Sequence, residues 1–195
     1  MALRLRYART VLARLNIETV VQHKEKLPKD GQYLLIANHR SIIDPLLVEI
    51  ALAESSIDGY WIAKKELYNS FFFGLFTRNA GSIVLDRDTK VTAPFFKAVK
   101  AVTQQGHSVF VFPEGTRNKG NTTLIEFKAG SRLIALKNRI NILPLYISTN
   151  ADEVLKEAIY KRTKNLKIVV EVGDLIEYRS KEPLDQSYRK MFNIR

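Results

Sequence analysis

The sequence predicts an α/β fold, a single domain whose mostly parallel or mixed central sheet is flanked by helices, preceded by an N-terminal amphipathic helix. Short apolar, β-prone runs alternate with longer helical patterns, which is typical of sheets covered by helices. The 195 residues and the 46% hydrophobic fraction fit one domain with a sizeable core. We divide the chain into an amphipathic membrane-associating segment, residues 1–29, and a main domain, residues 30–195.

The first predicted element is the amphipathic helix, over residues 2–16. At 100° per residue its apolar side chains fall within one arc, and several arginines lie outside it. Such a helix either docks on its own domain or lies in a membrane interface, and the two interpretations are compatible. The arc contains Leu5, Ala8, Val11, Leu12 and Leu15, and the arginines are Arg6, Arg9 and Arg14.

After a turn at Lys29-Asp30-Gly31, predicted strands alternate with predicted helices. Open α/β sheets place their ligand sites at the carboxyl ends of the strands, so polar residues there are the candidates for function. The strands are predicted near 33–37, 59–63, 82–85, 108–112, 142–147 and 167–172, and the helices near 45–54, 65–75, 91–104, 128–138 and 184–192.

The amino-acid composition excludes several kinds of catalytic and binding site. Without cysteine the chain has no disulfide, thiolate nucleophile or zinc-thiolate site, and its three widely spaced histidines argue against a histidine-rich metal cluster. We expect neither a metal nor a cofactor. The net charge of +11 comes from basic residues interleaved with apolar ones. That distribution favours an anionic membrane surface or a small anionic ligand over nucleic acid. No run approaches the roughly 18 apolar residues of a spanning helix, so we expect a soluble or peripheral protein.

His39 and Asp44 follow the first strand of the main domain and are candidates for proton transfer. An imidazole with an unperturbed pKa of about 6.5 is an effective base near pH 7 when a carboxylate orients it. The two side chains can meet if His39 lies in the turn and Asp44 starts the next helix. Ser41 and Asp44 match a capping box, while Asp44-Pro45 also suits an N-cap and first helical residue. The alternative is that Asp44 is only a cap and His39 only a turn histidine.

A second polar string, residues 112–117, follows another strand. Pro113 ends the strand, and Gly115 permits a turn closed to residues with a Cβ. Backbone N–H groups of such a turn, with Arg117, suit a phosphate. We expect Glu114 to anchor this loop or hold an arginine. The alternative is a tight surface turn with a solvated arginine.

Three further features are less specific. Arg87 follows the strand at 82–85 and is either a second cation at the same sheet edge or a partner of a neighbouring aspartate. The phenylalanine-rich run 71–76 is either a core helix face or, if exposed, an interfacial anchor or the mouth of an acyl tunnel. Pro144 lies in the apolar strand at 142–147, most of which we predict to be core.

Four blocks in this order resemble the glycerophospholipid acyltransferase family, and most closely its bacterial members that acylate 1-acyl-sn-glycerol 3-phosphate. The resemblance covers residues 30–150 approximately. The blocks are Asn38-His39 to Asp44, Gly81 to Arg87, Phe112-Pro113-Glu114-Gly115-Thr116-Arg117, and Leu143-Pro144-Leu145.

The resemblance implies that His39 is the general base toward the acceptor hydroxyl and that Asp44 orients it. Attack on the acyl thioester would be direct, which agrees with the absence of cysteine and of a Gly-x-Ser-x-Gly elbow. The residues implied for the acceptor phosphate are Arg87, Glu114, Gly115 and Arg117, and we add Thr116 of the same block. The family's fourth block is linked to the acyl donor or chain, which implies Pro144. We add Phe71, Phe72 and Phe73 to the acyl or donor site from their composition alone, not from the resemblance.

The expected reaction acylates the sn-2 hydroxyl of 1-acyl-glycerol 3-phosphate to phosphatidic acid in phospholipid synthesis. The donor would be acyl carrier protein, coenzyme A or an acyl phosphate, and the protein would lie peripherally on the cytoplasmic face of the membrane. One alternative is another acceptor, glycerol 3-phosphate or a lyso-aminolipid. A second is a non-catalytic anionic-lipid-binding module, which would leave the base–acid pair unexplained. A nucleic-acid binder would need a recognition motif that the sequence lacks.

Overall fold

A computed structural model describes residues 2–65, 81–85 and 93–194 of the chain. Most of the helix predicted at 65–75, with the phenylalanine-rich run 71–76, lies outside the described residues, and so does Arg87. Among the described helices, none combines the length and the apolar character that crossing a bilayer requires.

The centre of the described structure is a seven-stranded sheet. Its strands are β1 (Ile17–Gln22), β2 (Leu34–Ala37), β3 (Gly59–Lys64), β4 (Ser82–Leu85), β5 (Ser108–Val111), β6 (Ile142–Ile147) and β7 (Leu166–Val172). Their order across the sheet is β1-β7-β6-β2-β5-β3-β4. Strands β2 to β6 run parallel to one another, β7 is antiparallel to β6, and β1 is parallel to β7.

Helices cover both faces of this sheet. The side chains of β2 alternate between the two cores: Leu35 and Ala37 pack in one, and Leu34 and Ile36 in the other. Because all four are fully buried, β2 is the middle of a three-layer structure. The helices are α1 (Ala2–Arg14), α2 (Asp44–Ala51), α3 (Ala93–Gln104), α4 (Ala129–Asn138), α5 (Ala151–Lys156) and α6 (Leu184–Met191).

The six predicted strands are confirmed to within one residue at each end, and the five predicted helices that fall on described residues to within three. The mixed α/β architecture is also confirmed. Apart from the short 3₁₀ helix Lys24–Lys26, two of the described elements were missed. One is β1, an edge strand held by β7 from the far end of the chain. The other is α5, which is continued by a π-helical turn, Glu157–Lys161.

Helix α1 docks on α2 through one stripe of buried residues, Arg4, Ala8 and Leu12. Their spacing of four places them on one face of the helix. The docking interpretation is therefore confirmed. The burial of Arg4 was not predicted, because a charged side chain near a helix start is usually assigned to the solvent face. Since β1 belongs to the sheet, the segment 1–29 is joined to the main domain, and its association with a membrane stays a prediction.

Candidate active site

The topology brings the predicted polar strings to one edge of the sheet. Strand β2 lies between β5 and β6 and is parallel to both, so the carboxyl ends of all three strands point the same way. The loop after β2 carries His39, and the loop after β5 carries Glu114 to Arg117. Because carboxyl ends of this kind form the ligand site in open α/β sheets, this edge is the candidate site.

His39 and Asp44 form a hydrogen-bonded pair at this edge. The histidine Nδ1 lies 2.8 Å from the Oδ2 of Asp44, and the two side chains are 18% and 1% exposed. An ionised carboxylate can only accept a hydrogen bond, so Nδ1 carries the proton of a neutral imidazole. The lone pair is then on Nε2, which is the arrangement of a general base.

The same carboxylate oxygen organises the turn between β2 and α2. Asp44 Oδ2 accepts hydrogen bonds from the backbone N–H groups of Arg40 and Ser41, both at 2.7 Å. Ile43 is the N-cap and Asp44 the first helical residue, so the prediction of Asp44 as N-cap and Pro45 as first helical residue was wrong. Of the predicted capping box only the carboxylate half forms, in the bond from the Ser41 N–H. The carboxylate therefore serves as both a turn anchor and a histidine partner, the two roles that the sequence left open.

The loop after β5 holds the backbone of His39 on both sides. Glu114 Oε1 accepts the N–H of His39 at 2.6 Å, and the N–H of Asn118 is donated to the His39 carbonyl at 2.7 Å. Glu114 Oε2 accepts the N–H of Ile125 at 3.2 Å. Gly115 makes this turn at φ 69°, where a Cβ would be strained. The expectation that Glu114 anchors its loop is confirmed.

Burial gives Glu114 unusual acid–base behaviour. Its side chain is almost wholly inaccessible, and this desolvation raises its pKa from 4.5 to about 7. The hydrogen bonds from His39 and Ile125, and the charge of Arg40, act in the opposite direction and are outweighed. Glu114 therefore titrates near neutrality, directly behind the backbone of the candidate base.

Aromatic rings hold the plane of the imidazole. The rings of His39 and Phe112 stack with centroids 4.0 Å apart and planes 11° apart. Trp61 of β3 stacks on Phe112 at 5.1 Å and 26°. Neither Phe112 nor Trp61 was assigned to a site from the sequence, because their proximity depends on β3 pairing with β5.

Asn38 joins the start of the loop to the neighbouring strand. Its Nδ2 donates to the carbonyl of Ile147 at 3.0 Å, and its Oδ1 accepts the N–H of Ile147 at 2.8 Å. Tyr188 of α6 donates to the carbonyl of Leu145 at 2.5 Å, and complete burial raises its pKa well above the ordinary value. These bonds fix the end of β2 against β6. Asn38 was visible in the sequence only as the neighbour of His39.

The remaining predicted site residues differ in exposure. Thr116 and Arg117 are exposed at the tip of the loop after β5. Arg40 was not predicted; its guanidinium donates to the carbonyls of Gly120 and Thr122, and it lines a polar pocket of about 320 Å³. Pro144 is buried in β6, and its role toward an acyl donor stays a prediction.

Comparison with known proteins was made at the level of sequence and of structure. The model of a family described as "Acyltransferase" matches residues 18–148. The chain is 38% identical over 118 residues to a Helicobacter pylori 1-acyl-sn-glycerol-3-phosphate acyltransferase, covering 60% of this chain and 48% of that protein. It is 31% identical over 163 residues to a protein of the same name from Borreliella burgdorferi, covering 83% and 62%. The chain thus spans about half to three fifths of the length of these curated relatives.

The fold is also that of a solved structure. The crystal structure of the 1-acyl-sn-glycerophosphate (LPA) acyltransferase from Thermotoga maritima aligns with a TM-score of 0.72 at 22% identity. The alignment covers 97% of this chain and 74% of that one. At this identity the likeness concerns the fold alone.

Proposed function

This chain belongs to the acyltransferase family, and on that premise we propose that it transfers a fatty acyl chain to the sn-2 hydroxyl of 1-acyl-glycerol 3-phosphate. The product is phosphatidic acid, and the donor is an acyl thioester. The observation that carries the proposal is the His39–Asp44 pair, with Nδ1 on the carboxylate and Nε2 left as the base. Relatives in bacteria and in Homo sapiens that bear the name of this activity support the choice of acceptor.

In this mechanism His39 removes the proton of the acceptor hydroxyl as its oxygen attacks the thioester carbonyl. The imidazolium that forms is stabilised by the carboxylate of Asp44. The tetrahedral intermediate then collapses: the C–S bond breaks, and the departing sulfur takes the proton from the imidazolium. The ester forms directly on the acceptor, without an acyl-enzyme.

The acceptor phosphate is assigned to the tip of the loop after β5. Arg117 and Thr116 are exposed there and provide a guanidinium and a hydroxyl. Gly115 contributes its conformation, because its N–H is already donated to the carbonyl of Phe112 at 2.9 Å. Glu114 contributes by anchoring the loop, since both its oxygens accept backbone N–H groups. Arg87 would add a second cation and lies outside the described residues.

The activity is tested with purified protein and a matrix of substrates. The acceptors are 1-acyl-glycerol 3-phosphate, glycerol 3-phosphate and a lyso-aminolipid, each combined with acyl carrier protein, coenzyme A and acyl phosphate donors. We expect phosphatidic acid as the main product with at least one thioester. Faster turnover of another acceptor would replace the substrate but keep the reaction. Binding of anionic lipid without turnover of any pair would contradict an enzyme.

The lipid acceptor implies attachment to a membrane surface, which we propose is peripheral, on the cytoplasmic face, and made by the outer face of α1. Leu3 and Tyr7 are 69% and 49% exposed on that face. The exposed arginines of the same helix are Arg6, Arg9 and Arg14. Such a helix face combines apolar area with charge, and each cation near an anionic leaflet contributes about 1 kcal/mol.

Vesicle flotation separates the two contributions. Changing Arg6, Arg9 and Arg14 to Gln should remove the preference for anionic vesicles, an effect that added salt reproduces in the parent. Changing Leu3 and Tyr7 to Ser should weaken binding at every salt concentration. The matched control removes three exposed lysines on the opposite face of the sheet, Lys97, Lys100 and Lys137. If only that control loses binding, the membrane surface is on α3 and α4 instead.

A further inference from the structure

We propose that the inner face of α1 helps to position the catalytic base, through a continuous row of buried and partly buried side chains that ends on the imidazole of His39. The inference rests on the proposed role of His39. It gives α1 two separate tasks, with its outer face toward the membrane and its inner face toward the active site. The row consists of Arg4, Glu49, Trp61 and Phe112.

The row begins with a buried ion pair between α1 and α2. Arg4 Nε lies 3.0 Å from Glu49 Oε1, and the side chains are 7% and 0% exposed. Arg4 Nη1 also donates to the carbonyl of Gly59, at the start of β3, at 2.7 Å. Desolvating two charges requires so much free energy that an apolar pair is often as stable or more so. Stability alone therefore does not account for a salt bridge at this position.

The glutamate end of the pair holds the tryptophan. Trp61 donates its Nε1–H to the same Glu49 oxygen at 3.0 Å. Glu49 Oε2 is buried and has no hydrogen-bond partner among the described residues, so Oε1 is the atom on which Arg4 and Trp61 converge. The indole is also in edge contact with Phe110, with centroids 5.4 Å apart and planes at 76°. Its orientation is thus fixed both by a hydrogen bond and by packing.

The tryptophan in turn supports the ring beneath the base. Trp61 stacks on Phe112, and Phe112 stacks on His39 with planes only 11° apart. The bond from Nδ1 to Asp44 fixes the direction of the imidazole but leaves a rotation about the line joining the two atoms. A stacked ring opposes that rotation, and hence determines where Nε2 points. Small displacements of a reacting group reduce the rate by as much as about 100-fold.

Two double variants isolate the acceptor on which the row depends. Arg4→Met with Glu49→Gln removes both charges and keeps an oxygen for the Trp61 N–H. Arg4→Met with Glu49→Leu removes both charges and that oxygen. We expect kcat of the first about threefold lower than that of the parent, because the introduced glutamine keeps the acceptor for Trp61 but is no longer held by Arg4. We expect kcat of the second about tenfold lower, with the KM of each substrate unchanged in both. Trp61→Phe should resemble the second double variant, and combining them should add little further loss.

The control is a variant that changes the packing of the core but leaves the four side chains of the row in place. Leu12→Ala lies on the same inner face of α1 and opens a cavity in the same core. At a temperature where every variant is fully folded, Leu12→Ala should keep the parent kcat. If Leu12→Ala and the Leu-containing double variant lose kcat equally, general destabilisation is the cause and the inference fails.

A second measurement does not need turnover. The Phe112 ring shields the Cε1 proton of His39, whose NMR signal can be assigned among three histidines by its absence in His39→Ala. The signal should move most in Trp61→Phe and in the Leu-containing double variant, and less in the Gln-containing one. If the parent has no acyltransferase activity, the proposed function fails, and this signal alone decides the inference. Parent-like kcat of both double variants in an active enzyme, or an unmoved signal in Trp61→Phe and the Leu-containing double variant, would overturn it.

Discussion

The His39–Asp44 pair and the Thr116–Arg117 tip lie at the ends of two neighbouring parallel strands, yet the pair is largely buried and the tip is exposed. The pair is 18% and 1% exposed and is held through backbone, ring nitrogen and ring face. The tip is exposed. The same loop links the two regions, since Glu114 and Asn118, on either side of the tip, bind the backbone of His39.

The difference is consistent with the role that we propose for each region. A base must be oriented before substrate arrives, because reorientation during the reaction would add to the barrier. A group that binds a phosphate is better left hydrated, since a buried cation without its anion would be strongly destabilising. Variants of the pair should therefore reduce kcat, and variants of the tip should raise the KM of the phosphate-bearing substrate.

The largest effect is expected for His39→Ala. Loss of a positioned general base should reduce kcat by about 10²- to 10⁴-fold, while the fold persists because the side chain is partly exposed. Steady-state kinetics measures the loss, and a thermal melt of the same sample shows whether the variant is folded. A folded variant with less than a tenfold reduction would remove His39 from the mechanism.

Asp44→Asn should come next. The Asn oxygen can keep the three hydrogen bonds that Oδ2 accepts, with its amide group at the position of Oδ1, so the change removes charge more than geometry. Charged hydrogen bonds contribute roughly 1.5–3 kcal/mol, which corresponds to a loss in kcat of about 10- to 100-fold.

Asp44→Ala provides the contrast, since it removes the turn anchor as well and should lower the melting temperature. Equal kcat for the parent and Asp44→Asn would show that the negative charge is dispensable.

A smaller effect, on binding, is expected for Arg117→Ala. The KM of the phosphate-bearing acceptor should rise about tenfold, from the loss of a charged hydrogen bond, while the KM of the donor stays the same. Lys119→Ala, an exposed cation two residues further along, is the matched control and should change neither constant. An equal rise in both constants, or a rise for the donor alone, would assign Arg117 to another ligand.

The smallest effect concerns Glu114 and appears as a pH dependence of stability. Its pKa is raised by burial from 4.5 to about 7, so between these values the folded protein binds more protons at this site than the unfolded chain does. By linkage, the contribution of Glu114 is most favourable below pH 4.5 and is lost as the pH rises through 7.

Melting curves of the parent and of Glu114→Gln from pH 4.5 to 8 measure this pH-dependent contribution of Glu114 to stability. The variant loses one acceptor for a backbone N–H and should be less stable at low pH. That deficit should shrink as the pH rises. A deficit that grows with pH would show that the carboxylate is stabilised as an anion.

Features that depend on residues close together in the chain could be predicted from the sequence. The apolar run before His39 predicted β2, and Gly115 predicted a turn that the structure makes at positive φ. A strand that forms only by pairing with a distant part of the chain could not be predicted. Residues 17–22 form β1 because β7, almost 150 residues later, supplies the other half of the ladder. Propensity over six residues is too weak to predict such an edge strand.

The candidate site also combines features that the sequence predicts with features that it does not. The amino-acid sequence by itself determined the chemical groups, namely a histidine five residues before an aspartate at a helix start, and an arginine beyond a glycine turn. Only the tertiary structure decided which groups meet. Glu114 is 75 residues from the backbone N–H that it holds, and Arg4 is 55 residues from the carbonyl to which it donates. The physical reason is that strand order and helix docking result from burial of the whole core, which no local pattern encodes.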